Sequence, residues 1–135
     1  MMFDSELNPW PWSNFSRKEM QCKETGECRM IPSFMDRLQK LRLEFNKPMV
    51  ISSGYRSRQH SIELNKKRIG THAMGCAVDV VCSGSDALRL IELALQHGFT
   101  GIGVKQHSDI NKRFIHLDDA PNATHRPRPW LWSYK

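Results

Sequence analysis

The 135-residue sequence contains no long apolar run, no internal repeat and no low-complexity tract. A helix that spans a membrane needs about 18 or more consecutive apolar residues, so no membrane span is expected. The first ten residues include Asp4 and Glu6 and no apolar stretch, which is unlike a secretory signal peptide. We therefore expect a protein synthesised in the cytoplasm, which another process must release if it acts outside that compartment.

Blocks of like charge are also missing, although the net charge is +6 and the isoelectric point is near 9.4. The densest cluster is Lys66-Lys67-Arg68, and a cluster of this size is most often ordinary solvated surface. A basic protein is attracted to anionic polymers such as nucleic acid, acidic membrane surfaces and bacterial cell wall. Nucleic acid is not the expected partner, because stacking platforms interleave aromatic with basic residues. The tryptophans lie instead at the two ends of the chain: Trp10, Trp12, Trp130 and Trp132.

Cysteine is scarce, with four residues, and a chain of this length can bury a core without disulfide bonds. Cys22 and Cys28 lie in a turn-like stretch and could approach each other. Cys76 and Cys82 would lie about 20 Å apart in a predicted strand, which is beyond disulfide reach. A structural zinc ion on Cys22 and Cys28 would need two further ligands, and the sequence identifies none. We expect free thiols in one domain over residues 1–135.

The order of the predicted elements indicates an α+β fold, with a small, mostly antiparallel sheet and helices on one side. Helices are predicted from Pro32 to Asn46, from Arg58 to Lys66, and from a cap at Ser85 to a stop at Gly98. Strands are predicted at residues 49–53, 76–82, 101–104 and 113–118, with an edge strand within 126–134. Residues 1–14 are expected to form an extended arm whose tryptophans pack on the body.

Apolar spacing predicts which face of each element is buried. The first long helix should bury Phe34, Leu38, Leu41 and Phe45, and the last should bury Leu88, Ile91 and Leu95. In the strand at 76–82, Asp79 points away from the valine face. In the strand at 113–118, Phe114, His116 and Asp118 share one face.

Three residues in apolar surroundings are candidate metal ligands: His72, Asp79 and His116. His72 follows a Gly-Thr turn and precedes small residues, which let the backbone and a metal approach closely. Asp79 lies in an apolar strand, where an unpaired carboxylate is costly to bury and a cation removes that cost. Two imidazoles and one carboxylate give zinc three protein ligands and leave a fourth position for water, as catalytic zinc requires.

Four segments in this order resemble the zinc D-alanyl-D-alanine carboxypeptidase family, peptidase M15. They are residues 52–57 (SSGYRS), 71–79 (THAMGCAVD), 114–118 (FIHLD) and 126–130 (RPRPW). The family includes phage L-alanyl-D-glutamate endolysins, and hedgehog signalling domains share its fold. The chain is most similar to the compact carboxypeptidase-like branch, over about residues 14–134. The resemblance implies a hedgehog-like α+β fold and zinc held by His72, Asp79 and His116.

The resemblance also implies a role for Arg56, the arginine of the Ser-Gly-Tyr-Arg motif, in binding substrate, often through a carboxylate. Bidentate pairing with a carboxylate explains why arginine rather than lysine stands there. An ordinary structural ion pair or a cap is the alternative role for Arg56.

The sequence departs from the family pattern at the positions expected to supply the general base. Many relatives carry a carboxylate three residues before the last histidine ligand, where this chain has Arg113, and others carry a histidine where it has Phe114. Asp118, on the same strand face as His116, could act as the base or could orient His116. Asp109 and His107 in the preceding loop are further candidates for the base.

The resemblance predicts a zinc metallopeptidase that hydrolyses D-amino-acid-containing bonds in the stem peptide of bacterial peptidoglycan, as a D,D-carboxypeptidase or an endopeptidase. Small size, basic charge and the missing signal peptide fit a phage or prophage product, released to the wall by lysis or carried in a virion. The alternative is a catalytically inactive, zinc-containing module that binds cell-wall peptide or a protein partner. The missing carboxylate before His116 favours that alternative.

Overall fold

The computed structural model describes residues 10–135, and this part of the chain combines helices with one five-stranded sheet. The helices are α1 (Arg17–Met20), α2 (Pro32–Phe45), α3 (Ser61–Leu64) and α4 (Gly84–Gln96), and a 3₁₀ turn covers Ile110–Lys112. The strands are β1 (Val50–Ser53), β2 (Ala77–Val81), β3 (Gly101–Lys105), β4 (Phe114–Asp118) and β5 (Trp130–Ser133). The predicted α+β class is confirmed, and the helix predicted at 58–66 is shorter than expected.

The sheet has the strand order β1-β2-β4-β3-β5. All neighbouring strands pair antiparallel except β3 and β5, which are parallel. The tail therefore forms an edge strand, as predicted. One face of the sheet is apolar and joins the buried side chains of α2 and α4 in a single core, through Val78, Val80, Ile102, Ile115 and Leu117. The opposite face carries Asp79, His116 and Asp118 together with aromatic rings, among them Trp132.

Helix α2 forms where the sequence predicts it. Pro32 occupies its first turn, where a missing backbone N–H costs nothing, and Asn46 ends it in the left-handed region with φ of 55°. The predicted apolar stripe is confirmed, because all four of its members are buried: Phe34, Leu38, Leu41 and Phe45.

The predicted buried face of α4 is wrong for two of its three residues. Leu88 and Leu95 are 71% and 56% exposed, whereas Ile91 is half-buried against the core. The fully buried residues of the helix are Ala87, Leu90, Leu93 and Ala94. Both sets of residues recur at helical spacing, so the apolar period does not choose between them. The predicted cap is also displaced: Ser83, not Ser85, precedes the helix, and its side chain makes no capping hydrogen bond. Gly98, with φ of 87°, follows the end of the helix as predicted.

The arm predicted at residues 1–14 is described only from Trp10 onward, and its first nine residues lie outside the described part of the chain. Trp12 is buried and its indole Nε1–H donates to Asp36 Oδ1 at 2.8 Å. The indole of Trp10 packs edge-on against Trp12 with ring centroids 4.9 Å apart. The prediction that these tryptophans pack on the body is confirmed.

All four cysteines are free, and Cys22, Cys28 and Cys76 are buried. The turn between Cys22 and Cys28 is closed by backbone hydrogen bonds, one of them from Cys22 N to Glu27 O at 2.7 Å. Burial raises the pKa of the Cys76 thiol to about 12. Within residues 10–135, no helix has the length and apolar content needed to cross a bilayer.

Candidate metal centre

The pairing of β2 with β4 brings two of the predicted ligands together. Asp79 lies directly opposite His116 in the antiparallel ladder, on the face that points away from the helices. His72 reaches the same point from the loop before β2, and a potential ligand atom from each side chain lies within 4.8 Å of the others. The three residues are buried, with 6%, 6% and 3% of Asp79, His72 and His116 exposed. Among residues 10–135, no comparable group forms around Cys22 and Cys28.

A hydrogen bond on its far side fixes the ring of His72. The Nδ1 atom lies 2.8 Å from the carbonyl oxygen of Gly54. A carbonyl oxygen only accepts, so Nδ1 carries the proton and donates it. The unprotonated Nε2 then faces Asp79 Oδ1 at 3.3 Å. Gly54 is required here because a Cβ would lie 2.7 Å from the backbone oxygen of Met20.

Asp118 fixes the ring of His116 through the other ring nitrogen, Nε2. The Nε2–H of His116 donates to Asp118 Oδ2 at 2.7 Å, which leaves the unprotonated Nδ1 facing Asp79 Oδ1 at 3.1 Å. Asp118 also accepts two hydrogen bonds from Arg128, from Nε at 2.9 Å and from Nη2 at 2.8 Å, and one from Ala120 N at 3.2 Å. Burial alone would raise the pKa of Asp118, but these contacts with His116 and Arg128 outweigh it and lower that pKa to about 2.

The donor set fits a cation. With both outer ring nitrogens protonated, two imidazole lone pairs and a carboxylate oxygen point at one place, with no proton between them to relieve their repulsion. Burial opposes charge on Asp79, but positive charge and donated protons at the two imidazoles would outweigh it and hold the pKa of Asp79 below its usual range, and a bound cation would supply that positive charge in their place. A nitrogen, nitrogen and oxygen set of this kind suits zinc. The hydrogen bonds from the histidines to Gly54 and Asp118 are the outer contacts that orient zinc ligands in proteins.

Arg56 lies beside the three candidate ligands. Its Nη2 is 3.8 Å from Asp79 Oδ2 and its Nη1 is 3.5 Å from Glu63 Oε2. Both distances exceed those of a tight bidentate pair, so the guanidinium group is not fully used by these carboxylates. Arg56 also lines a cavity of about 200 Å³ together with Ser52, Ser53 and Gly54. Its side chain is 20% exposed and is therefore accessible from this cavity.

The tail of the chain closes one side of the centre. Trp132 stands in register with Gly103, and Gly103 with His116, so these three positions form one row across the sheet. A Cβ at Gly103 would lie 2.7 Å from the Trp132 ring, so only glycine leaves room for it. The rings of Trp132 and His116 have centroids 5.0 Å apart, and Arg128 stacks on Trp132 at 5.1 Å.

Sequence reasoning assigned no role to Arg128 or Trp132. A signal was present in the pattern Gly101-x-Gly103 within a predicted strand, because glycines on one strand face mark a close approach of other atoms. The structure fills that face with the Arg128 side chain over Gly101 and the Trp132 ring over Gly103.

The remaining candidates for the general base lie elsewhere. Asp109 and His107 are exposed in the connection between β3 and β4, and neither belongs to the cluster of candidate ligands. His107 Nε2 lies 3.2 Å from the backbone oxygen of Tyr134. Arg113 turns back into the same connection, where its Nε donates to Ser108 O at 3.1 Å.

Comparison with known proteins gives one family. The sequence model described as Peptidase M15 matches residues 13–118, which contain His72, Asp79 and His116 as well as Arg56 and Asp118. Arg128 and Trp132 lie beyond the matched segment. No curated protein matches the chain.

Proposed function

We propose that this chain, a member of the peptidase M15 family, is a zinc metallopeptidase that hydrolyses peptidoglycan peptides. The family follows from the matched segment, which covers more than half of the chain. The observation that carries the proposal is the convergence of two imidazole lone pairs and the Asp79 carboxylate at one buried point. Bound there, zinc would supply Lewis acidity, which lowers the pKa of water and polarises a peptide carbonyl. Three protein ligands leave room for that chemistry.

The chain's own residues would bind and orient the substrate. Arg56 has an incompletely used guanidinium group beside the cluster, so we assign it the substrate carboxylate. The carboxylate would replace long contacts to Asp79 and Glu63 with short, charge-assisted hydrogen bonds.

We assign Asp118 to the orientation of His116 rather than to proton transfer. Its side chain is fully buried, and both of its oxygens accept hydrogen bonds from His116, Arg128 and Ala120. A general base must reach the proton that it abstracts, directly or through one water molecule. With Asp118 used in this way, Asp109 and His107 stay predictions for the base.

The second candidate function is a zinc-containing module that binds wall peptide or a protein partner without cleaving it. Two observations favour it: the oxygens of Asp118 already accept hydrogen bonds from His116 and Arg128, and the Arg113 side chain points away from the cluster of candidate ligands. The peptidase that we propose first has three further features. It cleaves the D-alanyl-D-alanine bond rather than another bond, it is of phage or prophage origin, and it is released to the wall by lysis or carried in a virion.

The test is elemental analysis of the purified protein together with digestion of purified peptidoglycan, read by mass spectrometry. One zinc ion per chain with loss of a terminal D-alanine would support the carboxypeptidase, and new internal amino ends would support an endopeptidase. One zinc ion without cleavage would support the binding module. A protein that binds no zinc would refute both.

A further inference from the structure

A second charged feature lies next to the metal centre, in a groove of about 420 Å³ that we call the basic groove. No carboxylate lines it, and its charged and titratable members are Lys66, Lys67, Arg68, His125, Arg126 and Arg128. The loop that carries Lys66-Lys67-Arg68 forms one wall, and the segment before β5 forms the other. Residues far apart in the sequence thus bring their positive charges to one surface.

Only some of these charges are neutralised. Lys66 Nζ pairs with Glu63 Oε2 at 2.9 Å, and Arg128 is held by Asp118. Within residues 10–135, Lys67, Arg68 and Arg126 pair with no carboxylate, and Lys67 and Arg68 are exposed. Like charges that face one groove repel one another, and an anionic group bound between them would relieve that repulsion.

The basic groove adjoins the metal centre but differs from the cavity of Arg56. Thr71, which lines the groove, directly precedes His72, and Arg128 contacts the Asp118 that orients His116. Arg56 lines the other cavity, with Ser52, Ser53 and Gly54. Each of the two cationic features therefore includes a residue that adjoins the metal centre: Arg56 contacts Asp79, and Arg128 contacts Asp118.

We propose that the basic groove is a subsite for a second carboxylate of the peptide substrate, one carried within the peptide and not at its C-terminus. The proposal rests on the peptidase function proposed above. A stem peptide with two free carboxylates would place the terminal one at Arg56 and the internal one between Lys67, Arg68 and Arg126. Amidation of the internal carboxylate would remove the negative charge that this groove recognises.

The test compares two synthetic pentapeptides, L-Ala-γ-D-Glu-L-Lys-D-Ala-D-Ala and the same peptide with the α-carboxylate of its D-glutamate amidated. Steady-state cleavage of both is measured for the unaltered protein and for Lys67→Ala/Arg68→Ala. The control is Lys18→Ala/Lys40→Ala, which removes two exposed positive charges from α1 and α2, outside the groove.

We expect Lys67→Ala/Arg68→Ala to raise KM for the free-carboxylate peptide about fivefold, with kcat unchanged, because exposed ion pairs are individually weak. KM for the amidated peptide should change little in that variant, and the control should leave both peptides unaffected. Equal KM values for the two peptides in the unaltered protein would overturn the subsite. An equal effect of the control would assign the preference to net charge instead.

If the unaltered protein cleaves neither peptide, the peptidase function is decided by the digestion of peptidoglycan described above, and the subsite is decided by calorimetric dissociation constants for the same peptides and variants. A Kd that the amidation and the groove substitutions each weaken about fivefold would support the subsite. A Kd that neither change affects would overturn it. Wall phosphate is tested separately with isolated teichoic acid as a competitor: if only binding of teichoic acid depends on Lys67 and Arg68, the groove binds phosphate and the carboxylate proposal is wrong.

Discussion

Replacing Asp118 with asparagine tests the structural basis of the metal centre. The carboxylate of Asp118 accepts from the Nε2–H of His116, from two N–H groups of Arg128 and from Ala120 N. An amide has one acceptor oxygen, and its NH₂ group would face an N–H of either His116 or Arg128, which are both donors. Asp118→Asn therefore removes the negative charge and at least one hydrogen bond, with little change in shape.

The size of the effect follows from burial. The Arg128 side chain is 8% exposed and that of Asp118 is fully buried, so Asp118→Asn leaves Arg128 as a buried charge without its counter-charge. Breaking a buried pair in this way costs about 3–5 kcal/mol, and because one hydrogen-bonding oxygen is kept we expect the free energy of unfolding to fall by about 3 kcal/mol. Loss of the contact that orients His116 should weaken zinc binding about 10- to 100-fold.

The assay is zinc affinity measured by competition with a chromophoric chelator, together with urea unfolding of the zinc-free protein. Asp119→Asn is the matched control, because Asp119 pairs with Arg37 at 3.2 Å in a more exposed position and makes no contact with His116. It should lower stability by less than about 1 kcal/mol and leave zinc affinity unchanged.

Turnover at saturating zinc separates the two roles of Asp118. If Asp118 orients His116, excess zinc should restore most of the cleavage in Asp118→Asn. Unaltered zinc affinity combined with lost turnover would refute this reasoning and make Asp118 the general base.

Two further substitutions and one labelling experiment test the centre and its surroundings. His116→Ala should lose zinc and cleavage together, whereas His97→Ala, outside the cluster, should keep both; normal zinc stoichiometry in His116→Ala would remove it from the ligand set. Gly101→Ala places a Cβ against both oxygens of Asp118, so zinc affinity measured by chelator competition should fall although no ligand is changed, and wild-type affinity would contradict that contact. Cys76, buried and with a pKa near 12, should resist iodoacetamide in the native protein at pH 8 and react in urea, as counted by mass spectrometry; native labelling of Cys76 would contradict its burial.

The strand alternation predicted which side chains share a face, but not which strands pair. Period two placed Asp79 away from Val78 and Val80 and His116 beside Asp118, and the structure has both arrangements. The register that sets Asp79 opposite His116 depends on β4 lying between β2 and β3. That order is decided by packing of the whole sheet, since alternation within one strand is the same for any partner.

In helix α4, the spacing of apolar residues does not determine which face is buried. Leu88, Ile91 and Leu95 are the bulkier stripe, and hydrophobicity alone favours burying it. The structure instead buries Ala87, Leu90, Leu93 and Ala94 against α2 and β4, and leaves Ile91 half-buried beside them. Small side chains let a helix approach its neighbours closely and increase dispersion contacts along its length. The choice between the two faces is therefore a property of the surfaces opposite α4, which its own sequence does not contain.

The same reasoning explains why Arg128 was missed. In the sequence it is one of several basic residues in a proline-rich tail, and its role appears only once β5 lies parallel to β3. The missing side chain at Gly101 then leaves space for the pair of Arg128 with Asp118. A buried pair of this kind stabilises the fold little compared with an apolar pair of equal size. Its value lies in geometry, because Asp118 fixes the proton of His116 on Nε2 and leaves Nδ1 free to bind a metal.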